Sequence, residues 1–241
     1  MFINCFPNSY YSINEKFQSP INKTIHSIKK LLNIFSNTKA ASQAPTQTVP
    51  SKRPLKVEQL HFNSENRNTI YKISSVWDKV ADRKWKKVRS TEEAILFSDS
   101  CKINNWISEL MSDKARDGNL EFRIFLCRDQ ILNQPQAIAI TQDKIFHLDG
   151  TSYLYVLYLA TNPLNIRAKV NASEPQRTEG AATHLIRHLA KVCLQENQEE
   201  IKLISLASAE TFYKKLGFEV LAGNYTLKKE KLIALSPSPD C

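Results

Sequence analysis

The stretch RTEGAATHLIRHLAKVCL, from Arg177 to Leu194, is the most informative part of the chain. It places small residues at the start of a helical pattern, and one of them, Gly180, is among only 5 glycines. Apolar residues recur there at helical spacing and predict a buried face, formed by Ala182, Leu185, Ile186, Leu189, Ala190 and Cys193. The first turn of a helix leaves backbone N–H groups free, and small side chains let a phosphate approach them. Small residues that merely cap a helix give the same pattern, so the spacing Arg177-x-x-Gly180-x-Ala182 leaves both interpretations open.

The bulk composition predicts one main globular domain. The 241 residues are 42% hydrophobic and 24% charged, and no apolar run reaches the length of a membrane-spanning helix. The 5 cysteines lie far apart without a Cys-x-x-Cys pair, which argues against a zinc ribbon and favours a reducing, cytoplasmic compartment. The net charge of +9 is uneven, because seven basic residues and one acidic residue up to Arg53 leave +6 there and +3 beyond. On grounds of charge, the folded part therefore requires no nucleic-acid partner.

Residues 1–54 are predicted to form a flexible leader. Its last part, AASQAPTQTVPSKRP (Ala40–Pro54), has the composition of a linker. Ile21–Phe35 has the pattern of a basic amphipathic helix, which can make peripheral contact with a membrane or bind a partner. A short helix that packs on the domain, or one that is only partly formed, is the more ordinary interpretation. A secretory signal peptide is not expected, because no uninterrupted apolar segment follows a charged start, whereas export as a secreted effector fits a polar leader.

The remaining sequence predicts an α/β (α+β) sheet domain over residues 55–230, followed by a C-terminal tail, residues 231–241. Strands are predicted at Leu55–Phe62, Leu120–Asp129, Ala137–Thr141, Tyr153–Thr161, Ile201–Ala207 and in the closing segments FEVLA and NYTLKK. Helices are predicted at Arg67–Trp85, Thr91–Met111, Glu179–Glu196 and Ser208–Gly217, with Trp77, Trp85 and Trp106 packing on the core. Tyr153–Ala207 should be a parallel crossover whose helix starts at the carboxyl end of a strand, where open sheets bind ligands.

Three segments then follow the order of a known family. They are the strand end Leu159–Pro163, the motif Arg177-x-x-Gly180-x-Ala182 at the helix start, and AETFYKKLGF, from Ala209 to Phe218. In this order they resemble the GNAT superfamily of N-acetyltransferases, in which a Gln/Arg-x-x-Gly-x-Gly/Ala motif opens the long helix. The resemblance covers Leu55–Lys229. It implies the acyl-CoA N-acyltransferase fold, a mixed central sheet flanked by helices.

The chain departs from the family pattern in two places. The loop Leu164–Gln176 is longer than is usual there, so it is expected either to line a substrate or cofactor rim or to be a neutral insertion. Leu206 stands where many members carry an asparagine, so a cofactor contact is missing or is replaced by Ser205 or Ser208.

The resemblance implies acetyl-CoA as co-substrate and a set of residues that hold it. Backbone groups of the strand end would pair with the pantetheine arm, and backbone N–H groups at the helix start would hold the pyrophosphate. The strand residues are Leu159, Ala160 and Thr161, and those at the helix start are Arg177, Thr178, Glu179, Gly180, Ala181 and Ala182. Tyr213 matches the tyrosine that serves as general acid in the family, and its ordinary alternative role is that of a packed aromatic.

Acetyl transfer needs an uncharged amine, and a lysine-type amine has a solution pKa of about 10.4, so a base or desolvation has to remove its proton. The sequence shows no evident base; the candidates are His147, Asp149 and Glu121. Backbone N–H groups along Leu157–Leu159 are candidates for stabilising the oxyanion.

No metal is expected in this site. His184 and His188 have the spacing of a metal pair but no third ligand, so they are interpreted as a solvated helix face. Cys127 and Cys193 read as small apolar residues, which argues against a covalent cysteine mechanism.

These features predict an acyltransferase, specifically an N-acetyltransferase that transfers an acetyl group to a primary amine by direct attack in a ternary complex. The acceptor is left open between a small amine, an antibiotic, a polyamine and a protein N-terminus or lysine. The alternative is a catalytically weak or inactive module of the same fold that binds CoA or a protein.

Overall fold

The computed structural model describes residues 53–112, 122–166, 168, 171 and 178–236. The predicted amphipathic helix Ile21–Phe35 and the last five residues of the predicted tail lie outside this part of the chain. Within the described residues, no helix combines the length and apolarity needed to cross a bilayer.

Seven strands form one sheet in the order β1-β2-β3-β4-β5-β7-β6. The strands are β1 (Leu55–His61), β2 (Phe122–Asp129), β3 (Pro135–Phe146), β4 (Ser152–Thr161), β5 (Glu200–Leu203), β6 (Glu219–Leu221) and β7 (Asn224–Lys228). Neighbouring strands are antiparallel except for β4 and β5, which are parallel. The helices are α1 (Ser64–Trp85), α2 (Thr91–Ser112), α3 (Ala181–Gln195), α4 (Glu210–Lys215) and α5 (Lys229–Leu235). The predicted parallel crossover is thus β4, α3 and β5.

The sheet is covered on both faces, which explains why its central strands are apolar throughout rather than alternating. In β2, Ile124 and Leu126 pack with α1 and α2, whereas Phe125 and Cys127 pack with α3. On the α3 side the core also includes Leu232 from α5. The buried stripe predicted for α3 lies there except for Ala182, which is half-buried, and Ala181 is buried instead. A mixed sheet between two helical layers is the predicted architecture, and the fold prediction is confirmed.

Local capping sets the start of α1 earlier than predicted. The side chain of Asn63 accepts a hydrogen bond from the backbone N–H of Asn66 at 2.9 Å, so the helix begins at Ser64 rather than Arg67. The tryptophan prediction is confirmed for Trp77, which is buried, and wrong for Trp85, which is 47% exposed. Trp106 is 39% exposed, and its ring lies 6.2 Å from that of Tyr158 at the edge of the core.

Two predicted boundaries also need correction. The strand predicted at Ile201–Ala207 ends at Leu203, because beyond that residue β5 no longer pairs with β4. The predicted boundary at residue 230 divides α5, whose Leu232 is fully buried in the α3-side core. The domain therefore continues at least to Leu235.

Candidate functional site

The two parallel strands at the centre of the sheet separate before β4 ends. Pairing runs from Tyr153 opposite Glu200 to Val156 opposite Leu203 and then stops. The strand β4 continues for five more residues to Thr161, still paired with β3 on its other side. Among the described residues, no strand pairs with the β5-facing edge of Leu157–Thr161. The carboxyl half of β4 therefore has one open edge.

A β-bulge lies where this open edge begins. Ile140 is opposite Tyr158 and Thr141 is opposite Val156, so Leu157 has no partner of its own on β3. Leu157 and Tyr158 both pack toward α1 and α2, although adjacent residues of a regular strand point to opposite faces. The bulge thus changes the direction of the β4 backbone at the point where β4 and β5 separate.

The three predicted β4 residues differ in what their backbones can offer. The N–H of Asn162 donates to the carbonyl of Gln136 on β3 at 2.9 Å. Because backbone groups alternate between the two edges of a strand, those of Ala160 also face β3, and those of Leu159 and Thr161 face the open edge. Leu159 and Thr161 can therefore pair with an extended ligand, and the backbone contact predicted for Ala160 is not available.

The start of α3 has the conformation expected for an anion site. Gly180 precedes the helix with φ 79° and ψ 6°, a left-handed conformation that favours glycine. Among the described residues, no atom lies within 4 Å of the position that a Cβ would take there. Among the described residues, the N–H groups of Ala181 and Ala182 have no hydrogen-bond partner, and the first helical bond runs from His184 to Gly180 at 2.8 Å. The residues thus fit a pyrophosphate.

The prediction for Thr178 is wrong. Its N–H donates to Oδ1 of Asn165 at 2.7 Å and its hydroxyl donates to Oδ2 of Asp129 at 3.2 Å, so neither is free for a ligand. Thr178 is fully buried and Glu179 is half-buried. Arg177 lies outside the described residues and its predicted contact stays a prediction.

Tyr213 lies in the core beside the separating strands. Its ring centroid is 5.4 Å from that of Phe218 and 5.9 Å from that of Tyr225, and Tyr225 is opposite Leu203, the last β5 residue paired with β4. The side chain is 5% exposed. Burial raises the pKa of its hydroxyl well above the usual range, so the group stays protonated at physiological pH. The packing role is directly visible, and the role as general acid remains a prediction.

The predicted bases do not lie at the open edge. His147 and Asp149 lie in the connection between β3 and β4, and about 17 Å of strand separates the start of β4 from Leu157, where the open edge begins. Nε2 of His147 lies 2.5 Å from Oε1 of Glu200, and the Thr151 hydroxyl and backbone N–H hold the pKa of Asp149 below its usual value. Glu121 lies outside the described residues.

The two histidines of α3 are half-buried rather than solvated, which corrects the prediction. The ring of His188 lies 5.8 Å from that of Phe125, and burial lowers the pKa of both His184 and His188. Among the described residues no group of three His, Cys, Asp or Glu side chains is placed to hold a metal ion. Cys127 and Cys193 are fully buried, and burial raises the pKa of each thiol to about 12, so both remain unreactive thiols.

Sequence reasoning missed a carboxylate near the end of β5. Asp99 on α2 accepts a hydrogen bond from the Ser208 hydroxyl at 2.6 Å and lies 3.2 Å from Nζ of Lys102. It borders a cavity of about 250 Å³, lined by Trp85, Thr91, Ala94, Ile95, Ser98, Asp99 and Lys102. Asp99 and Ser208 are far apart in sequence, so no local pattern could have indicated this contact.

The chain has a GNAT-type fold, as its sheet order, the open edge of β4 and the start of α3 indicate. No protein-family model and no curated protein matches the sequence. Among solved structures, a mutant of the AtaT toxin bound to the C-terminus of the antitoxin AtaR and acetyl-CoA is similar, with 16% identity and a TM-score of 0.41 over 56% of this chain and 83% of that one.

Two further solved structures are similar over most of their length. A predicted acetyltransferase with acetyl-CoA from Clostridium acetobutylicum is 14% identical, with a TM-score of 0.40 over 70% of this chain and 92% of that one. An aminoglycoside acetyltransferase from an uncultured soil metagenomic sample is 15% identical, with a TM-score of 0.40 over 72% of this chain and 97% of that one.

Proposed function

We propose that this protein is an N-acetyltransferase that transfers the acetyl group of acetyl-CoA to a primary amine by direct attack in a ternary complex. The observation that carries the proposal is the open edge of β4 at Leu157–Thr161, next to the unpaired N–H groups at the start of α3. An extended arm and a pyrophosphate need these two features side by side.

Each feature supplies a different part of the coenzyme site. The backbone groups of Leu159 and Thr161 would pair with the amides of the pantetheine arm as an added strand does. The N–H groups of Ala181 and Ala182, with the positive end of the helix dipole, would hold the pyrophosphate. Gly180 would keep the approach to these groups free of a side chain.

The chemistry would take place where β4 and β5 separate. At the bulge Leu157 has no residue directly opposite it on β3, and its N–H would stabilise negative charge on a carbonyl oxygen. As the amine nitrogen bonds to the acetyl carbon and the carbon–sulfur bond breaks, the Tyr213 hydroxyl would give its proton to the departing sulfur, and the proton released by the amine would restore the tyrosine. Burial keeps the hydroxyl protonated, but the raised pKa also makes it a weaker acid, so this role rests on the family resemblance. Acetyl-CoA supplies the activated acyl group when it is bound.

The cavity beside Asp99 favours an amine as acceptor. The helix α2 reaches from Ser208, which follows β5, to Tyr158 on β4, whose ring lies 6.2 Å from that of Trp106. The cavity is lined by residues of α2 and by Trp85 at the end of α1, which cover the face of the sheet opposite α3. A protonated amine would be attracted to the Asp99 carboxylate, where it would compete with Lys102, whose side chain is 55% exposed.

The same fold without turnover is the second candidate. It is favoured by one observation: neither His147 nor Asp149, the two predicted bases that the structure describes, lies near the open edge. A module of this kind would still bind acetyl-CoA or CoA, or a protein partner, through the same backbone groups.

The identity of the acceptor, the location of the protein and the role of the leader are separate proposals. We propose a cytoplasmic protein whose acceptor is an amine-bearing small molecule or protein, with no need for nucleic acid. Membrane contact through residues 1–54, or export, would be tested by fractionating cells that express the full chain and a chain lacking these residues. If the leader directs the protein, removing residues 1–54 changes the location of the protein and leaves its activity intact.

Two measurements on the full chain separate these candidates. Calorimetric titration with acetyl-CoA tests binding, and release of the free CoA thiol tests turnover with a panel of a polyamine, an aminoglycoside and a peptide with a free N-terminus. Saturable binding with turnover on an amine supports the enzyme. Saturable binding without thiol release on any amine favours the module, and no binding by the folded protein contradicts both.

A further inference from the structure

A buried carboxylate lies beneath the start of α3 and takes no part in the site described above. Asp129, the last residue of β2, is fully buried and accepts four hydrogen bonds. The donors are the N–H groups of Ile131 at 2.8 Å and Leu132 at 3.0 Å, Nη1 of Arg53 at 3.2 Å and the hydroxyl of Thr178 at 3.2 Å. Burial raises the pKa of Asp129, but the four donors outweigh it, and the net shift is downward.

Thr178 is held from a second direction as well. Its N–H donates to Oδ1 of Asn165, and Nδ2 of Asn165 donates to Oε1 of Gln136 at 3.0 Å. Both polar groups of Thr178 that can donate are therefore fixed, and the residue stands only two positions before Gly180. Gly180, in its left-handed conformation, connects this fixed segment to the start of α3.

We propose that Asp129 is a positioning residue for coenzyme binding, acting through the Thr178 hydroxyl. It fixes the backbone that leads into α3, so that the N–H groups of Ala181 and Ala182 already face the pyrophosphate before it binds. A site ordered in advance binds more tightly, because less conformational entropy is lost on binding. The same carboxylate pairs with Arg53, so the beginning of the folded unit and the start of α3 share one anchor. The inference rests on the proposed function, since it presumes a coenzyme at this helix start.

The test uses Thr178 rather than Asp129, because removal of the carboxylate would leave Arg53 buried without this partner and could unfold the domain. Thr178→Val removes the hydroxyl at nearly constant shape, and Thr178→Ser keeps it. Thr226→Val is the matched control: Thr226 is 1% exposed, lies on β7, and its hydroxyl has no hydrogen-bond partner among the described residues.

The first readout needs no coenzyme. The amides of residue 178 and His184 are hydrogen-bonded, so their hydrogen exchange measured by NMR on the full chain reports on the order of the helix start. Thr178→Val should speed this exchange about tenfold, which corresponds to about 1.4 kcal/mol. Thr178→Ser and Thr226→Val should exchange at these positions like the wild type. Unchanged exchange in Thr178→Val would overturn the positioning role, whatever the protein binds.

The second readout compares two ligands by calorimetry. Thr178→Val should bind acetyl-CoA about tenfold more weakly than the wild type and bind acetyl-pantetheine, which lacks the pyrophosphate, equally well. An equal loss for both ligands would show a general structural effect and overturn the proposal. If the wild type binds no acetyl-CoA while exchange at residue 178 does respond, the proposed function fails, and with it the role of Asp129 toward the coenzyme.

Discussion

Replacing Gly180 by glutamate should weaken acetyl-CoA binding without unfolding the domain. The substitution brings two effects that the structure separates. One is backbone strain, because Gly180 has φ 79°, where a residue with a side chain is disfavoured by about 1–2 kcal/mol. The other is a negative charge placed at the approach to the helix start.

Gly223 provides a matched control for the strain. It has φ 81° in the turn between β6 and β7, and, as at Gly180, no atom of the described residues lies within 4 Å of the position of an added Cβ. Gly223→Glu therefore carries the same strain and the same added charge, away from α3. Both variants should unfold at similar temperatures, lower than that of the wild type.

Only Gly180→Glu should lose affinity. Two like charges about 4 Å apart repel by about 1 kcal/mol in bulk water and about 4 kcal/mol near a protein surface. Since about 1.4 kcal/mol is a factor of ten, the dissociation constant for acetyl-CoA should rise between about fivefold and about a thousandfold. Calorimetric titration of the full chain measures it, with thermal unfolding as the check on the fold. Affinity in Gly180→Glu equal to that of Gly223→Glu would refute a pyrophosphate site at this helix start.

Three further substitutions test other residues. Tyr213→Phe should lower thiol release by about a hundredfold with little change in acetyl-CoA affinity, because it removes one proton donor and keeps the ring; unchanged turnover removes Tyr213 from the mechanism. Asp99→Asn should raise KM for a cationic amine about tenfold and leave KM for acetyl-CoA unchanged; an equal rise in both argues against an acceptor site there. Asp129→Asn should cost about 3–5 kcal/mol of unfolding free energy at pH 7. Because the pKa of Asp129 is lower in the folded chain, its contribution is present above about pH 3.9 and is lost below it, so the two proteins should converge in acid; a difference independent of pH contradicts this.

The sequence predicted the elements that depend on local patterns. From Leu185 onward the stripe of α3 lies in the core as expected, because a 3.6-residue repeat decides which side chains face the sheet; at the helix start Ala181 is buried in place of Ala182. The closing strands also lie where the turn residues indicate, whereas the helix predicted at Glu179–Glu196 begins only at Ala181, after the left-handed Gly180. The segment that forms α5 is rich in charged residues, so its composition predicted a tail. It is a helix, and its one buried side chain is that of Leu232.

What could not be predicted depends on contacts between distant segments. The strand pattern of IKLISLA continues past Leu203 with Ile204 and Leu206. The strand nevertheless ends at Leu203, where β4 and β5 separate. Thr178 was expected to offer a free N–H, but Asn165, across the loop, already accepts its hydrogen bond. The contacts of Asp129 with Arg53 and Thr178 join residues 76 and 49 positions apart, which no local spacing reveals.

The most direct test of the account is a crystal structure of the full chain with acetyl-CoA. The account predicts the pantetheine arm along the open edge of β4, hydrogen-bonded to the backbone of Leu159 and Thr161, with the pyrophosphate at the N–H groups of Ala181 and Ala182. A structure in which β5 closes onto Leu157–Thr161, or in which the coenzyme lies away from α3, would contradict it.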